Sequence, residues 1–171
     1  MMAGRVFYMD PSNDVHTTTA LLFWLWIFPA SYVIHAAEEF WGGEGYTAYL
    51  YRLRGVHMSP RRFVANHALA LFLMTVGVVI SQMLNFPTFL VTMFGALIFS
   101  NGISHTVTAI WDRGYGPGLI TSILWIPLGA AAVIAMFGQL PNLKFAIAVA
   151  VGLGINGFIA FYTMKGGKLV I

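Results

Sequence analysis

The sequence of 171 residues contains no cysteine. This absence excludes disulfide bonds, iron–sulfur clusters, thiolate metal sites and cysteine nucleophiles. A metal ion bound by this chain must therefore be held by histidine, carboxylate, carbonyl or water ligands.

Charge is also scarce. Only 9% of the residues are charged and 58% are hydrophobic, whereas a soluble domain carries about 25% charged residues. Together with a mean hydropathy of +0.77, this composition predicts an integral membrane protein surrounded by lipids. The net charge of +3 comes mostly from loop residues, so it reports membrane topology and not binding to nucleic acid.

The first seventeen residues lack the basic start and short apolar run of a cleaved signal peptide. We therefore expect an exposed tail over residues 1–17. Five apolar runs follow, at about 18–42, 62–84, 87–111, 119–137 and 143–164. Each can cross a hydrocarbon core about 30 Å thick. The sequence predicts one all-α domain of five transmembrane helices, with a short interfacial helix in loop 44–61 and a C-terminal tail over 165–171.

The distribution of basic residues predicts the orientation, because cytoplasmic loops carry an excess of lysine and arginine. If the N-terminus lies outside, only Arg5 and Lys144 face outward. The basic residues on the inner side are then Arg52, Arg54, Arg61, Arg62, Arg113, Lys165 and Lys168. We therefore expect the N-terminus outside and the C-terminus in the cytoplasm.

Ionisable residues inside membrane spans are costly and mark functional sites by default. Apart from loops, they occur with asparagines in three places: His35 with Glu38 and Glu39, Asn66 with His67, and Asn101 with His105. The three histidines each lie six residues from the cytoplasmic end of a span, which is about 9 Å at 1.5 Å per residue. Three helices therefore present a histidine at one depth.

Helical periodicity also groups the neighbouring polar residues. Glu38 lies about 60° to one side of His35 and Glu39 about 40° to the other, so they form one stripe that Ser31 extends. A second stripe on the third span comprises Asn101, His105, Thr108 and Asp112. We assign Glu38 and Glu39 as candidate catalytic groups, and Asn66, Asn101, Asp112 and Ser31 as candidate substrate or supporting residues.

Imidazoles and carboxylates suit zinc, iron or manganese. Zinc catalysis uses three protein ligands and a water, which His35, His67, His105 and one glutamate such as Glu38 could supply. A di-iron site is less well matched, because it uses more carboxylates and a second Glu-x-x-His motif. Haem is disfavoured by the carboxylates at the same depth. Without metal, two carboxylates that share a proton would form an acid–base pair.

The fifth run carries small residues at four-residue spacing, Ala146, Ala150 and Gly154. Small residues let membrane helices approach closely. This face is a candidate surface for homo-oligomer formation, although packing within one bundle would need the same pattern.

The segment His35-Ala36-Ala37-Glu38-Glu39 resembles the signature of the HXXEE family of small bacterial and archaeal membrane proteins. That pattern also contains NAxxH and GxxxH motifs. His67 and His105 align with their histidines, while Phe63-Val64 replaces Asn-Ala and Asn101 replaces glycine. The resemblance covers about residues 30–130 and implies a functional cluster in a prokaryotic cytoplasmic membrane, without naming a reaction.

A looser likeness links the glutamate pair, Phe63 and His67 to the CAAX-type intramembrane glutamate proteases. The arginine expected soon after the glutamate pair is absent before Arg52.

The favoured hypothesis is a membrane-embedded enzyme, dependent on zinc or iron, that acts on a lipid, isoprenoid or membrane peptide. The alternatives are an ion- or proton-conducting or accessory subunit, and a metal-free acid–base isomerase.

Overall fold

The computed structural model describes residues 11–165, with side chains described from residue 20 onward. The segments 1–10 and 166–171, which belong to the predicted tails, lie outside the described residues. Between them the chain is all-α and contains no strand. The six helices are α1 (Pro11–Trp41), α2 (Tyr46–Arg54), α3 (Pro60–Met83), α4 (Pro87–Asp112), α5 (Leu119–Met136) and α6 (Asn142–Met164).

Five of these helices are long and apolar enough to cross a membrane, namely Ala20–Trp41 of α1 together with α3, α4, α5 and α6. The chain is thus a polytopic helical membrane protein, as its composition predicts. The short helix α2 lies in the loop where an interfacial helix was expected. Helix α1 begins at Pro11, so the segment 11–17, predicted as tail, is helical. Proline suits such a first position because it has no N–H to leave unpaired.

Local signals set the helix ends. The hydroxyl of Ser59 accepts a hydrogen bond from the backbone N–H of Arg62, which caps α3 beside Pro60. Helix α4 likewise begins at a proline, Pro87. Gly118 is the N-cap residue just before α5 and has φ of 83°, a backbone conformation that favours glycine.

Helix α4 is the central helix and packs most extensively against α5 and α6. Glycines permit this close contact: Gly102 lies against the backbone of Ser122 on α5, and Gly152 of α6 lies against the backbone of Met93 on α4. The core is formed by Leu25, Phe28, Val78, Val91 and Ile98 with their neighbours. Since α1 and α3 also contact α4, their polar residues reach a common space beside it.

Candidate metal centre

The carboxylate of Glu39 lies among three histidine rings. Its Oε1 atom is 3.7 Å from Nε2 of His35 and 3.3 Å from Nε2 of His105, and its Oε2 atom is 3.2 Å from Nε2 of His67. His35 and Glu39 are buried, with exposed fractions of 2% and 5%. We call these four residues the Glu39 cluster. The structure therefore brings together the three histidines that the sequence predicted at one depth.

The packing of three helices places these side chains together. His35 and Glu39 are four residues apart on α1 and so share one face. His67 lies on α3 and His105 on α4, and both helices contact α1. The indole ring of Trp125 on α5 packs against the His35 ring at a centroid distance of 4.0 Å, which restricts the ring's orientation.

The distances among His35, Glu39 and His105 are short enough for the three side chains to share one metal ion. Charge-assisted N–H···O hydrogen bonds are about 2.7–2.9 Å long, shorter than any of the three contacts. Bonds of about 2.0–2.1 Å to a tetrahedral zinc ion place its ligand atoms about 3.3 Å apart. The ligand atoms of His35, Glu39 and His105 all lie within 4.8 Å of one another, and Nε2 of His67 reaches the other oxygen of Glu39.

Glu38 does not join this cluster. Its Oε1 atom accepts hydrogen bonds from the hydroxyl of Tyr115 and the backbone N–H of Ile120, both at 2.8 Å. Its Oε2 atom accepts from the backbone N–H of Thr121 at 2.7 Å and from the Thr121 hydroxyl at 2.6 Å. Glu38 therefore caps the N-terminus of α5, where a carboxylate satisfies free N–H groups and complements the helix dipole. These hydrogen bonds also explain why an acidic residue is tolerated near the C-terminal end of α1.

Further polar partners hold the histidines of the cluster. Nδ1 of His35 lies 2.7 Å from the Thr121 hydroxyl, and Nδ1 of His67 lies 2.9 Å from the hydroxyl of Tyr32. The backbone carbonyl of Pro117 accepts a hydrogen bond from the His105 ring. Histidines that bind metals usually donate their other ring N–H to a carboxylate, a backbone carbonyl or a water, and an oxygen of a hydroxyl group can accept in the same way.

The loop between α4 and α5 covers the cluster. A Cβ atom on Gly118 would meet Cγ of Glu39 at 2.8 Å, Cε1 of His35 at 2.9 Å and Cε1 of His105 at 3.2 Å. Only glycine fits here without displacing the cluster. The positive φ of Gly118 is a second reason for glycine at this position. Thr121, Tyr32 and Gly118 were missed by the sequence analysis. The Gly-Pro-Gly segment at 116–118 was the one feature of the sequence that indicated an unusual backbone conformation here.

Tyr115 in this loop connects to the same network. Its partial burial and its hydrogen bond to Glu38 raise the pKa of Tyr115 to about 12. The hydroxyl therefore stays protonated at physiological pH and can donate to the carboxylate.

A cavity of about 240 Å³ adjoins the Glu39 cluster. Side chains from α2, α4 and α6 form its other walls, including Arg54, Asn101 and Asn156. Asn101 donates to Asn156 at 3.3 Å, and Asn156 donates to Ser104 at 3.3 Å. Within residues 20–165, three polar atoms of cavity-lining side chains are buried and unpaired: Tyr49 Oη, Asn101 Oδ1 and Trp125 Nε1. Asn156, a polar residue of the fifth span, is a cavity residue that the sequence analysis missed.

A second space lies between α1 and α3. It is an apolar groove of about 320 Å³ whose wall includes Ala36, Phe40 and Ala68, and Tyr32 and His67 line both this groove and the cavity. We call it the α1–α3 groove. Because α1 and α3 are membrane-spanning helices, hydrocarbon chains of the bilayer can reach it.

The remaining predicted residues lie elsewhere. Asn66 is 3.4 Å from the hydroxyl of Tyr162, and Ser31 donates to the carbonyl of Phe28 in its own helix. Asp112 pairs with Arg52 at 2.9 Å, joining α2 to the end of α4. Of the four candidate supporting residues, only Asn101 lines the cavity.

A family model described as a protein of unknown function with HXXEE motif matches residues 26–132, which is more than half of the chain and includes the whole Glu39 cluster. No curated protein and no solved structure matches the chain.

Proposed function

The chain belongs to the family of proteins with the HXXEE motif, and we propose that it is a membrane-embedded, metal-dependent enzyme. Its metal ion would be held by His35, His105 and Glu39, whose ligand atoms all lie within 4.8 Å of one another, while His67 contacts the other oxygen of Glu39. The observation that carries the proposal is the spacing of the cluster, at 3.2–3.7 Å between the histidine Nε2 atoms and Glu39. These distances exceed the roughly 2.7–2.9 Å of charge-assisted hydrogen bonds and suit ligands of one ion.

The donor set favours zinc or iron. Two imidazole nitrogens and a carboxylate are borderline to hard ligands, and three protein ligands that leave a position for water are typical of catalytic zinc. A bound ion of this kind supplies a Lewis acid and lowers the pKa of its water. Glu39 has two oxygens in the cluster, so one can bind the ion while the other accepts a proton from the substrate or the water.

The two adjoining spaces support an apolar or amphipathic substrate. The cavity offers polar groups from Asn101 and Asn156 beside apolar walls, and the α1–α3 groove is lined by apolar side chains. A lipid, an isoprenoid or a membrane peptide has both kinds of surface. We propose that such a substrate enters from the bilayer, at the cytoplasmic side of a prokaryotic membrane.

A metal-free acid–base enzyme is the second candidate. His67 connects Tyr32 to Glu39 through polar contacts of its two ring nitrogens. Nδ1 lies 2.9 Å from the Tyr32 hydroxyl, and Nε2 lies 3.2 Å from Glu39. Such a series of contacts can move a proton to or from a carboxylate. It would serve an isomerisation.

Metal analysis distinguishes these candidates. The purified protein in detergent is stripped with a chelator, incubated with zinc or Fe²⁺, and assayed for bound metal per chain. We expect one ion per wild-type chain and a large loss of affinity in His35→Ala and His105→Ala. His57→Ala is the matched control, because His57 lies outside the cluster and contacts the exposed Tyr51 ring. Equal binding by all four proteins, or none by the wild type, would contradict the metal proposal.

A further inference from the structure

Glu38, the first glutamate of the motif, accepts four hydrogen bonds. Two come from the backbone N–H groups of Ile120 and Thr121, and two from the hydroxyls of Tyr115 and Thr121. A backbone N–H can only donate, so both carboxylate oxygens act as acceptors. This is the pattern of an ionised carboxylate at a helix N-terminus.

The Thr121 hydroxyl has a single proton to donate. Its candidate acceptors are Glu38 Oε2 at 2.6 Å, Nδ1 of His35 at 2.7 Å and the carbonyl of Gly118 at 3.2 Å. The shortest contact is the one to a charged oxygen, which makes the strongest hydrogen bond, and the carboxylate can only accept. The proton therefore points to Glu38, and the Thr121 oxygen presents its lone pairs to the third neighbour, Nδ1 of His35, at 2.7 Å.

Because the threonine oxygen acts as the acceptor in its contact with His35, Nδ1 of His35 must carry the proton and donate it. The neutral imidazole carries one N–H, so Nε2 is then unprotonated. Nε2 is the atom that faces Glu39 at 3.7 Å. An unprotonated nitrogen opposite a carboxylate oxygen is a metal-binding arrangement and a poor hydrogen bond.

We propose that Glu38 and Thr121 are positioning residues, which hold His35 in the tautomer that directs its Nε2 lone pair into the Glu39 cluster. This rests on the proposed function, in that the lone pair is used to bind a metal ion. The two glutamates of the motif then have separate roles: Glu39 contacts the ion, and Glu38 orients the histidine through the start of α5. The same contacts join α1 to α5, so the site forms only when these helices are packed together.

The tautomer can be measured without any metal. Chelator-treated protein with ¹⁵N-labelled histidine is examined by solid-state NMR in bilayers, and the His35 signals are identified by their loss in His35→Asn. We expect the shifts of a protonated Nδ1 and an unprotonated Nε2. Thr121→Val, which removes the hydroxyl, should shift the ring toward the other tautomer, whereas Thr121→Ser should keep the wild-type shifts. A protonated Nε2 in the wild type would overturn the proposal.

Zinc affinity provides the second readout. Loss of an outer partner of a metal-binding histidine weakens metal affinity by about 10–100-fold, so we expect that loss in Thr121→Val and recovery in Thr121→Ser. Equal affinity in both variants would overturn the positioning role. Circular dichroism and thermal unfolding of both variants identify any loss that comes from misfolding.

The two failures are distinguishable. If the wild type binds no metal but His35 has the expected tautomer and responds to Thr121→Val, the proposed function fails and the positioning role stands. If metal binds and the tautomer does not depend on Thr121, the positioning role fails alone.

Discussion

Glu38 and Glu39 are adjacent in sequence, yet their carboxylates contact different helices. Glu38 accepts hydrogen bonds from Ile120 and Thr121 at the start of α5, whereas Glu39 faces histidines from α1, α3 and α4. Successive residues turn by about 100° around a helix, which separates the two side chains although both lie within a turn of His35. Substitutions at the two positions should therefore have different consequences.

Glu39→Gln should abolish metal binding and leave the fold largely intact. The amide is a weaker ligand than the carboxylate, and burying a neutral group costs less than burying a charge. Glu38→Gln should instead lower thermal stability by removing a charged helix cap, a loss of about 0.5–2 kcal/mol, and should weaken zinc binding by no more than about 10–100-fold.

Glu44→Gln is the control for both, because Glu44 is an exposed residue that pairs with Arg52. Zinc titration and thermal unfolding are measured on all three variants. Equal effects at Glu38 and Glu39 on both measurements would contradict the division of roles.

Gly118→Ala should damage the cluster as well as the loop. Both Gly118 and Gly55 have positive φ, at 83° and 65°, so alanine at either position should cost about 1–2 kcal/mol in backbone strain. Only at Gly118 would the new Cβ meet Glu39 and His35, because a Cβ at Gly55 would have no atom of the described residues within 4 Å.

Gly55→Ala is thus a matched control for strain. We expect both variants to lose thermal stability from backbone strain, with a larger loss in Gly118→Ala because of the added steric contact, and a loss of zinc affinity in Gly118→Ala alone. Wild-type affinity in Gly118→Ala would show that the loop does not confine the cluster.

The raised pKa of Tyr115 predicts that the stability of the fold depends on pH. Burial and the contact with Glu38 raise the pKa of Tyr115 to about 12 in the folded protein, above the value of about 10 for a free tyrosine. The folded state therefore holds the proton more tightly, so the stabilisation is fully present below pH 10 and is lost as the pH rises toward 12. The effect is modest, because Tyr115 is 41% exposed.

Thermal unfolding of the wild type and Tyr115→Phe is compared between pH 8 and pH 12. We expect the wild type to be more stable at pH 8 and the difference to shrink above pH 10. Tyr51→Phe, at an exposed tyrosine, controls for general alkaline effects. A difference that stays constant or grows would contradict the assigned contact.

The sequence predicted the five spans and grouped the three histidines that the structure brings together, because hydropathy and helix rise can be read from local sequence. It could not predict which glutamate faces the histidines. Periodicity places Glu38 and Glu39 on either side of His35, and only the rotation of α1, set by packing against α4 and α5, selects Glu39. Thr121 lies 86 residues from its partner His35, so no local pattern joins them. Asn156 was missed for the same reason, since its role depends on α6 packing against α4.

The last prediction concerns the small-residue face of α6. The buried small residues of this helix are Ala148 and Gly152, which face α4, whereas Ala146, Ala150 and Gly154 are exposed. Contact with α4 therefore leaves the second set free for a neighbouring copy of the chain. If copies associate through this face, Gly154→Leu should reduce the oligomer to a monomer by blocking close approach.

Light scattering coupled to size-exclusion chromatography in detergent measures that change. Val151→Leu is the control, because Val151 is exposed on α6 about 60° around the helix from Gly154. Gly152→Leu should instead unfold or destabilise the protein, since its side chain would meet the backbone of Met93 and Leu97. A wild-type protein that is already a monomer, or an oligomer that tolerates Gly154→Leu, would refute association through this face and leave α6 as a helix that packs within one bundle.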